Sequence, residues 1–385
     1  MSRFFDLVSK PARDMGSSAP AATPASTKPP VELIKLDSNE SPYGPSLRVV
    51  DAMRGAMNAA NLYPDDDCSA LRVKLAAHHG LPPEQVLVTA GSTGLLSLLC
   101  QTLLAPGLNA VTSERSFIVY SMAVHATGAR LIEAPMHGDG FDLEAIHMAI
   151  NSDTRIVFLA NPNNPTGTML EAAAVEQFLA GLPGHVVLVL DEAYYEFALH
   201  FAKFRRVNYS NSLDYVHRGA GVVVLRTFSK AHGLAGLRVG YGLGPAELLG
   251  YCASMRSTFS VSSVAQAAAM ASLEDDKHIQ RVVENNTIQS RDLTTGLTAL
   301  GYRVVPTWAN FLYCDLGGDA AEFAGRLQEE GVVVRPLGSW GAPNCIRVTI
   351  GTAEQNQALL RAVGRIKSRE SGDGAHSSPG AGSVV

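Results

Sequence analysis

The chain has 385 residues, of which 46% are hydrophobic and 17% charged, and its formal net charge is −5. That length and apolar share suit one large domain and a smaller one around a sizeable core, and the lack of a basic excess argues against a nucleic-acid or membrane-surface binder. The five cysteines (Cys68, Cys100, Cys252, Cys314 and Cys345) are scattered without C-x-x-C spacing, so a reduced, cytoplasmic protein fits better than a disulfide scaffold or a zinc module.

The opening MSRFFDLVSK lacks the apolar core of a signal peptide, and no apolar run approaches the ~20 residues of a membrane span. Residues 1–30 form a polar extension rich in Pro, Ala, Ser and Thr, and residues 368–385 a low-complexity tail. Neither has much to bury, so both are expected to be poorly ordered.

Between them, short apolar runs alternate with helical patterns. QVLVTAG (85–91) reads as a strand ending in a glycine turn, and TGLLSLLCQTLL (93–104) as a helix buried nearly all round. RIVFLANPNNPTG (155–167) is a strand running into a Pro/Asn turn, HVVLVLDEAYYEF (185–197) a strand ending on acids, and GVVVL (221–225) a third buried strand. Fully apolar strands with helices between them predict an α/β fold with a mostly parallel sheet covered on both faces, whose ligands bind beyond the carboxyl ends of the strands. After about residue 262 the pattern changes. Helices at 263–273 and 277–301, strands at 302–306, 311–317, 332–336 and 345–351, and helices around 320–331 and 353–367 suggest a smaller α+β domain.

Four strand ends carry polar or reactive residues. AGST (90–93) opens a helix and offers backbone N–H groups as an anion site, or is an ordinary capped turn. NPNNPTG (161–167) is a denser turn than a chain reversal needs, or a rigid β-turn. Asp191 places a carboxylate beyond a buried strand, where it needs a partner, whether as N-cap, structural ion pair or functional group. Lys230, in RTFSKAHGLAGLRVGYG (226–242), is a surface-loop lysine on its own, but not obviously so beside the other three. An anion cradle, an Asn, a buried Asp and a strand-end Lys together meet the needs of pyridoxal phosphate: an amine for its aldehyde, a carboxylate for its ring nitrogen, a donor for its ring oxygen and a cradle for its phosphate. Arg238 supplies a cation for that phosphate, and Thr227 and Ser229 supply hydroxyls.

An N-terminal stretch, LDSNESPYGPS (36–46), is followed by five motifs in the same order as in a known family: NLYPD (61–65), NPNNPTG, DEAYYEF (191–197), TFSKAHGLAGLRVGY (227–241) and IRVTIGTAEQN (346–356). On these the chain resembles the fold-type I pyridoxal-phosphate aminotransferases, most closely the histidinol-phosphate aminotransferase group, over nearly all of residues 31–367. The resemblance implies a seven-stranded-type sheet in a large PLP-binding domain (61–262), a small C-terminal domain (263–367), and an N-terminal segment (31–60) that joins the small domain. It implies Lys230 as the lysine that carries the cofactor and shuttles the proton, and Asp191 as the partner of the pyridine nitrogen. Asn164 and Tyr194 would hold the ring hydroxyl. Ser92, Thr93, Ser229 and Arg238 would hold the phosphate, with Thr227 beside them. Arg347 would fork onto the substrate carboxylate. Tyr63 would reach the partner's cofactor phosphate in a homodimer with shared active sites.

Two positions depart from the family pattern. Phe117, in RSFIVY, stands where a stacking Tyr is usual, and the phosphate turn reads GSTG (91–94) where acids are common. Arg335 is either a second substrate arginine for a distal anion such as a phosphate, or a surface arginine at a strand end, and Tyr43 could line the same pocket. The expected partners are a small amino donor and a 2-oxo acid acceptor, with histidinol phosphate and 2-oxoglutarate favoured. An aromatic amino acid, towards which Phe117 and Trp340 lean, and a threonine-phosphate decarboxylase activity are the alternatives. Gly240, Gly242 and Gly244 do not make the dinucleotide spacing, and no metal motif is present. His232 is read as structural, and His78 and His79 as a solvated helix face.

Overall fold

The computed structural model describes residues 7–16 and 33–373. Most of the expected disorder at the two ends falls outside these residues. Within the first end the chain forms a short helix over Lys10–Met15, and the final helix, expected to stop near 367, runs over Ala353–Asp373.

Seven strands make the large sheet: β1 (Val86–Thr89), β2 (Asn109–Ser113), β3 (Arg130–Ala134), β4 (Thr154–Ala160), β5 (Val187–Asp191), β6 (Val222–Thr227) and β7 (Gly240–Leu243). Their order across the sheet is β1-β7-β6-β5-β4-β2-β3. All run parallel except β7, which is antiparallel to both neighbours. The apolar runs are strands because both faces are covered: every residue of β1, β2, β6 and β7 is buried. Because β7 is reversed, its first residue, Gly240, lies opposite both Thr89 and Thr227, the last residues of β1 and β6. The carboxyl ends of β1, β4, β5 and β6 therefore share one edge of the sheet.

A second sheet of four strands has its own apolar cluster, which includes Leu312, Ile346, Val348 and Leu359. Its strands are β8 (Arg303–Val305), β9 (Phe311–Asp315), β10 (Arg335–Leu337) and β11 (Ala342–Thr349), all antiparallel. The chain around Leu36 bridges to this sheet: its N–H donates to the carbonyl of Val333, just before β10, and its carbonyl accepts from the N–H of Thr349 on β11. That stitch carries residues 37–40 across the edge where the large-sheet strands end. Among the described residues no helix is long and apolar enough to cross a membrane.

His79 differs from the sequence expectation. It is buried, with its ring nitrogen 3.0 Å from the Tyr241 hydroxyl. Burial, with Arg226 nearby, pushes its pKa down to about 3, so it is neutral. An amphipathic helix buries one of two consecutive residues, and here that one is His79 rather than neither.

Candidate active site

A cavity of about 570 Å³ opens where β1, β4, β5 and β6 end. Its lining includes Ser92, Thr93, Phe117, Asn164, Asp191 and Tyr194, and also Thr227, Ser229, Lys230, Arg238, Arg335 and Arg347. Twelve residues singled out in the sequence thus converge on one space, from segments up to 255 positions apart in the chain. Tyr43 and Tyr63 are not in the lining. The Arg281 guanidinium lies over the Tyr43 ring, 4.2 Å from its centre, and Tyr43 packs against the apolar cluster that includes Tyr194 and Phe311. Tyr63 is 82% exposed and stacks on Phe259 at 4.5 Å.

Lys230 follows β6 by three residues. Its Nζ donates to the Ser38 carbonyl at 3.1 Å and lies 5.8 Å from the Tyr194 ring centre. No carboxylate is paired with it among the ion pairs of the described residues. Burial, then Arg347 and Arg238, bring its pKa down to about 7, which makes a neutral amine accessible near physiological pH.

Asp191 closes β5 and is 5% exposed. Burial raises its pKa to about 6, against the opposing bonds from the Tyr120 hydroxyl to Oδ2 (3.0 Å) and the Ala193 N–H to Oδ1 (3.2 Å). Tyr120 is fully buried, stacked on Phe158 at 4.6 Å and edge-on to Phe117. The sequence singles out Phe117 in RSFIVY but not Tyr120, whose N–H bonds back to the Phe117 carbonyl across the turn that opens the helix Val119–His125.

The turn Gly91–Thr93 opens helix α1 (Ser92–Leu103), whose first two residues line the cavity. Gly91 has φ +75°, and a Cβ there would meet Arg238 Nη2 at 2.7 Å. The missing side chain lets the guanidinium lie against the turn. Arg238 itself has φ +53°, a conformation that costs free energy in a non-glycine residue and so marks a constraint. Among the described residues its shortest bond is to the Ala235 carbonyl at 3.0 Å, while Thr93 Oγ1 and Ser229 Oγ lie 3.4 and 3.5 Å away. Thr227 and Ser229 are joined by their hydroxyls at 2.9 Å.

Arg347, on β11, is 6% exposed; it donates to Asn164 Oδ1 and to the Asp37 carbonyl, each at 2.7 Å, and its Nε has no partner. Tyr194 accepts from Asn39 Nδ2 at 2.9 Å. Asp37 and Asn39 stand in LDSNESPYGPS, where the sequence offered a family signature but no role for them. His232 bonds Ser272 at 2.6 Å and is absent from the lining, as a structural residue would be.

Pyridoxal phosphate fits this donor set. A loosely held arginine and two hydroxyls surround a helix N-terminus for the phosphate, a lysine amine bonded to a backbone carbonyl is there for the aldehyde, and among the described residues the buried Asp191 carboxylate has no ion pair. The sheet edge brings all of them to one cavity.

Comparison with known proteins agrees. Residues 31–363 match the family model "Aminotransferase class I and II". "Histidinol-phosphate aminotransferase 2" of Methylococcus capsulatus is 40% identical over 340 residues, covering 87% of this chain and 90% of the relative. The protein of the same name from Pseudomonas aeruginosa is 41% identical over 337 residues, covering 88% and 90%. Among solved structures, the histidinol-phosphate aminotransferase of Sinorhizobium meliloti in complex with pyridoxal-5'-phosphate superposes with a TM-score of 0.81 at 30% identity, covering 87% of this chain and 91% of that one. A lysine and an aspartate at the carboxyl edge of a seven-stranded sheet, with an arginine behind a helix N-terminus, therefore have a family: the chain belongs to the class I and II aminotransferases, as a pyridoxal-phosphate-dependent transaminase of the histidinol-phosphate-aminotransferase-like group.

Proposed function

We propose that this aminotransferase takes the amine of histidinol phosphate and passes it to 2-oxoglutarate, in the cytoplasm and as a homodimer. The observation that carries the substrate reading is the pair Arg335 and Arg347. They lie directly opposite each other on β10 and β11, and both line the cavity. Two neighbouring guanidinium forks suit a phosphate or a pair of carboxylates better than a single charge. Phe117, Tyr194 and Trp340 supply flat apolar surface in the same cavity for an imidazole. The names of relatives near 40% identity support the same choice.

The cofactor, when bound, acts as the electron sink that lowers the cost of removing a proton from the carbon that bears the amine. Around it the residues have separate tasks. Lys230 would hold the cofactor and carry the proton at Nζ, and its pKa of about 7 lets that nitrogen both take up and release a proton near neutral pH. Asp191 would keep the ring nitrogen protonated. Asn164 and Tyr194 would hold the ring oxygen. Ser92, Thr93, Ser229 and Arg238 would hold the phosphate, and Phe117 would cover the ring face. Arg347 orients the donor. Tyr63, exposed and stacked on Phe259, is the residue we assign to the partner's phosphate. The free thiols of all five cysteines accord with a reducing compartment.

A donor panel of histidinol phosphate, phenylalanine and tyrosine tests the substrate. The expected result is a kcat/KM at least about tenfold higher for histidinol phosphate, set by the fit of its imidazole and its phosphate together. Preference for phenylalanine would overturn it in favour of an aromatic donor, which the apolar cavity wall also accommodates. Lys230→Ala abolishes turnover and the visible absorption of the bound cofactor; a variant that kept both would remove the lysine from its role.

A further inference from the structure

The cations of the cavity are not free; one short segment holds three of them. Lys230 donates to the Ser38 carbonyl at 3.1 Å, and Arg347 to the Asp37 carbonyl at 2.7 Å. Arg335 Nη2 lies 3.1 Å from Asp37 Oδ2, and its Nε 3.4 Å from the Asp37 carbonyl. The segment is fixed on both sides. Leu36 pairs with the small sheet, and Asn39 donates its N–H to Thr349 Oγ1 at 2.8 Å and its Nδ2 to the Tyr194 hydroxyl.

Asp37 is badly placed for a purely structural acid. Its side chain is only 15% exposed, and its second oxygen, Oδ1, is buried without a partner. A half-satisfied buried carboxylate is costly and calls for a reason. The reason lies opposite it. Arg335 and Arg347 are directly facing residues of adjacent antiparallel strands, where like charges repel. Asp37 meets one with its carboxylate and the other with its carbonyl, and the Arg335 side chain remains 41% exposed, open to a ligand.

We propose that Asp37 is a specificity-determining residue: it is the resident counter-anion of the Arg335–Arg347 pair, and the second negative charge of a ligand must compete with it. A ligand with one carboxylate engages Arg347 and leaves the Asp37–Arg335 pair intact. A dicarboxylate or a phosphate monoester brings an additional charge to Arg335, against the charge already there. The inference rests on the reading of Arg335 and Arg347 as the anion-binding pair and goes beyond it, because it assigns the discrimination between singly and doubly charged ligands to an acid outside both arginines.

The test uses the holoenzyme and unreactive probes, so that the identity of the true donor does not enter. Glutarate, its monomethyl ester and 3-phenylpropionate are titrated by the perturbation of the cofactor's absorption. In the unmodified enzyme, glutarate binds no more than about threefold tighter than its monoester, because Asp37 already neutralises Arg335. Asp37→Asn, which keeps the carbonyl and the shape, tightens glutarate by about tenfold and leaves 3-phenylpropionate within about twofold. Unchanged or weaker glutarate binding in Asp37→Asn would mean that Asp37 only positions Arg335, and the proposal would be wrong. The unmodified enzyme alone overturns it too, if it prefers the diacid by more than about tenfold, so the result does not depend on the variant folding. If histidinol phosphate is not turned over while the glutarate shift appears, the substrate reading fails and this inference stands.

Discussion

Asp191 and Glu192 are consecutive buried acids at the end of one strand, and they face opposite sides of the sheet with opposite outcomes. Glu192 is 2% exposed and accepts from Ser210 Oγ (2.5 Å), Ser212 Oγ (2.9 Å), and Arg226 Nη2 and Nε (2.8 and 3.0 Å). The Arg226 guanidinium also covers the Tyr195 ring at 3.5 Å. Burial works against the charge of Arg226, but Glu192 more than compensates and holds it above its ordinary pKa. On the other face Asp191 has two neutral donors and no close cation, and Lys230 has one carbonyl. Burial there wins, raising the acid to about 6 and lowering the lysine to about 7. One desolvation penalty acts on both faces. A closed set of partners turns it into structure, and an open set leaves charges that a cofactor can complete.

The comparison can be broken most sharply at Glu192. Glu192→Ala leaves Arg226 buried without its carboxylate, and a loss of about 3–5 kcal/mol is expected, seen as a drop in melting temperature on the order of 10 °C. A drop of only a degree or two would mean that the two faces do not differ as described. Asp191→Asn should do the reverse to the cofactor-free chain. The folded pKa of Asp191 lies above its unfolded value of 3.8, so between that pH and about 6 the folded chain binds more protons than the unfolded one. The contribution of Asp191 to stability therefore falls as pH rises through that window and stays low at pH 7. An amide has no charge to bury, so the stripped chain melts a few degrees higher at pH 7, by ~1–3 kcal/mol, while kcat drops by about a hundredfold or more. A lower melting temperature would show that Asp191 is already paired. The smallest effect is expected for Tyr120→Phe. It removes the 3.0 Å hydroxyl bond that favours the charged acid, so the acidic limb of the pH–rate profile moves up by about one unit with kcat down roughly tenfold. An unshifted limb would leave Tyr120 as packing alone.

Much of the large sheet was legible because its strands are buried on both faces and read as unbroken Val, Ile and Leu runs. Strand β7 was not. GYGL carries two glycines, and a loop is the ordinary reading of such a stretch. The structure supplies the cause: a Cβ on Gly240 would lie 2.5 Å from the Ser92 nitrogen, where the helix that opens the anion cradle presses on the strand. Lys230, Asp191 and the turn at Gly91–Thr93 were legible as strand ends. Tyr120, Asp37 and Asn39 were not, since each acts through a partner at least 71 positions away. Tyr43 was expected in the pocket, but it lies outside the lining, with Arg281 over its ring.

The sequence by itself determined which residues could be reactive and that they would emerge at the same edge, because strand period, turn chemistry and helix starts are local properties of the chain. Only the tertiary structure decided which of two adjacent acids is satisfied, that two arginines face each other across β10 and β11, and that Asp37 stands between them. Those outcomes depend on burial and on distances between remote segments, which set the cost of every charge and are written in no single stretch of residues.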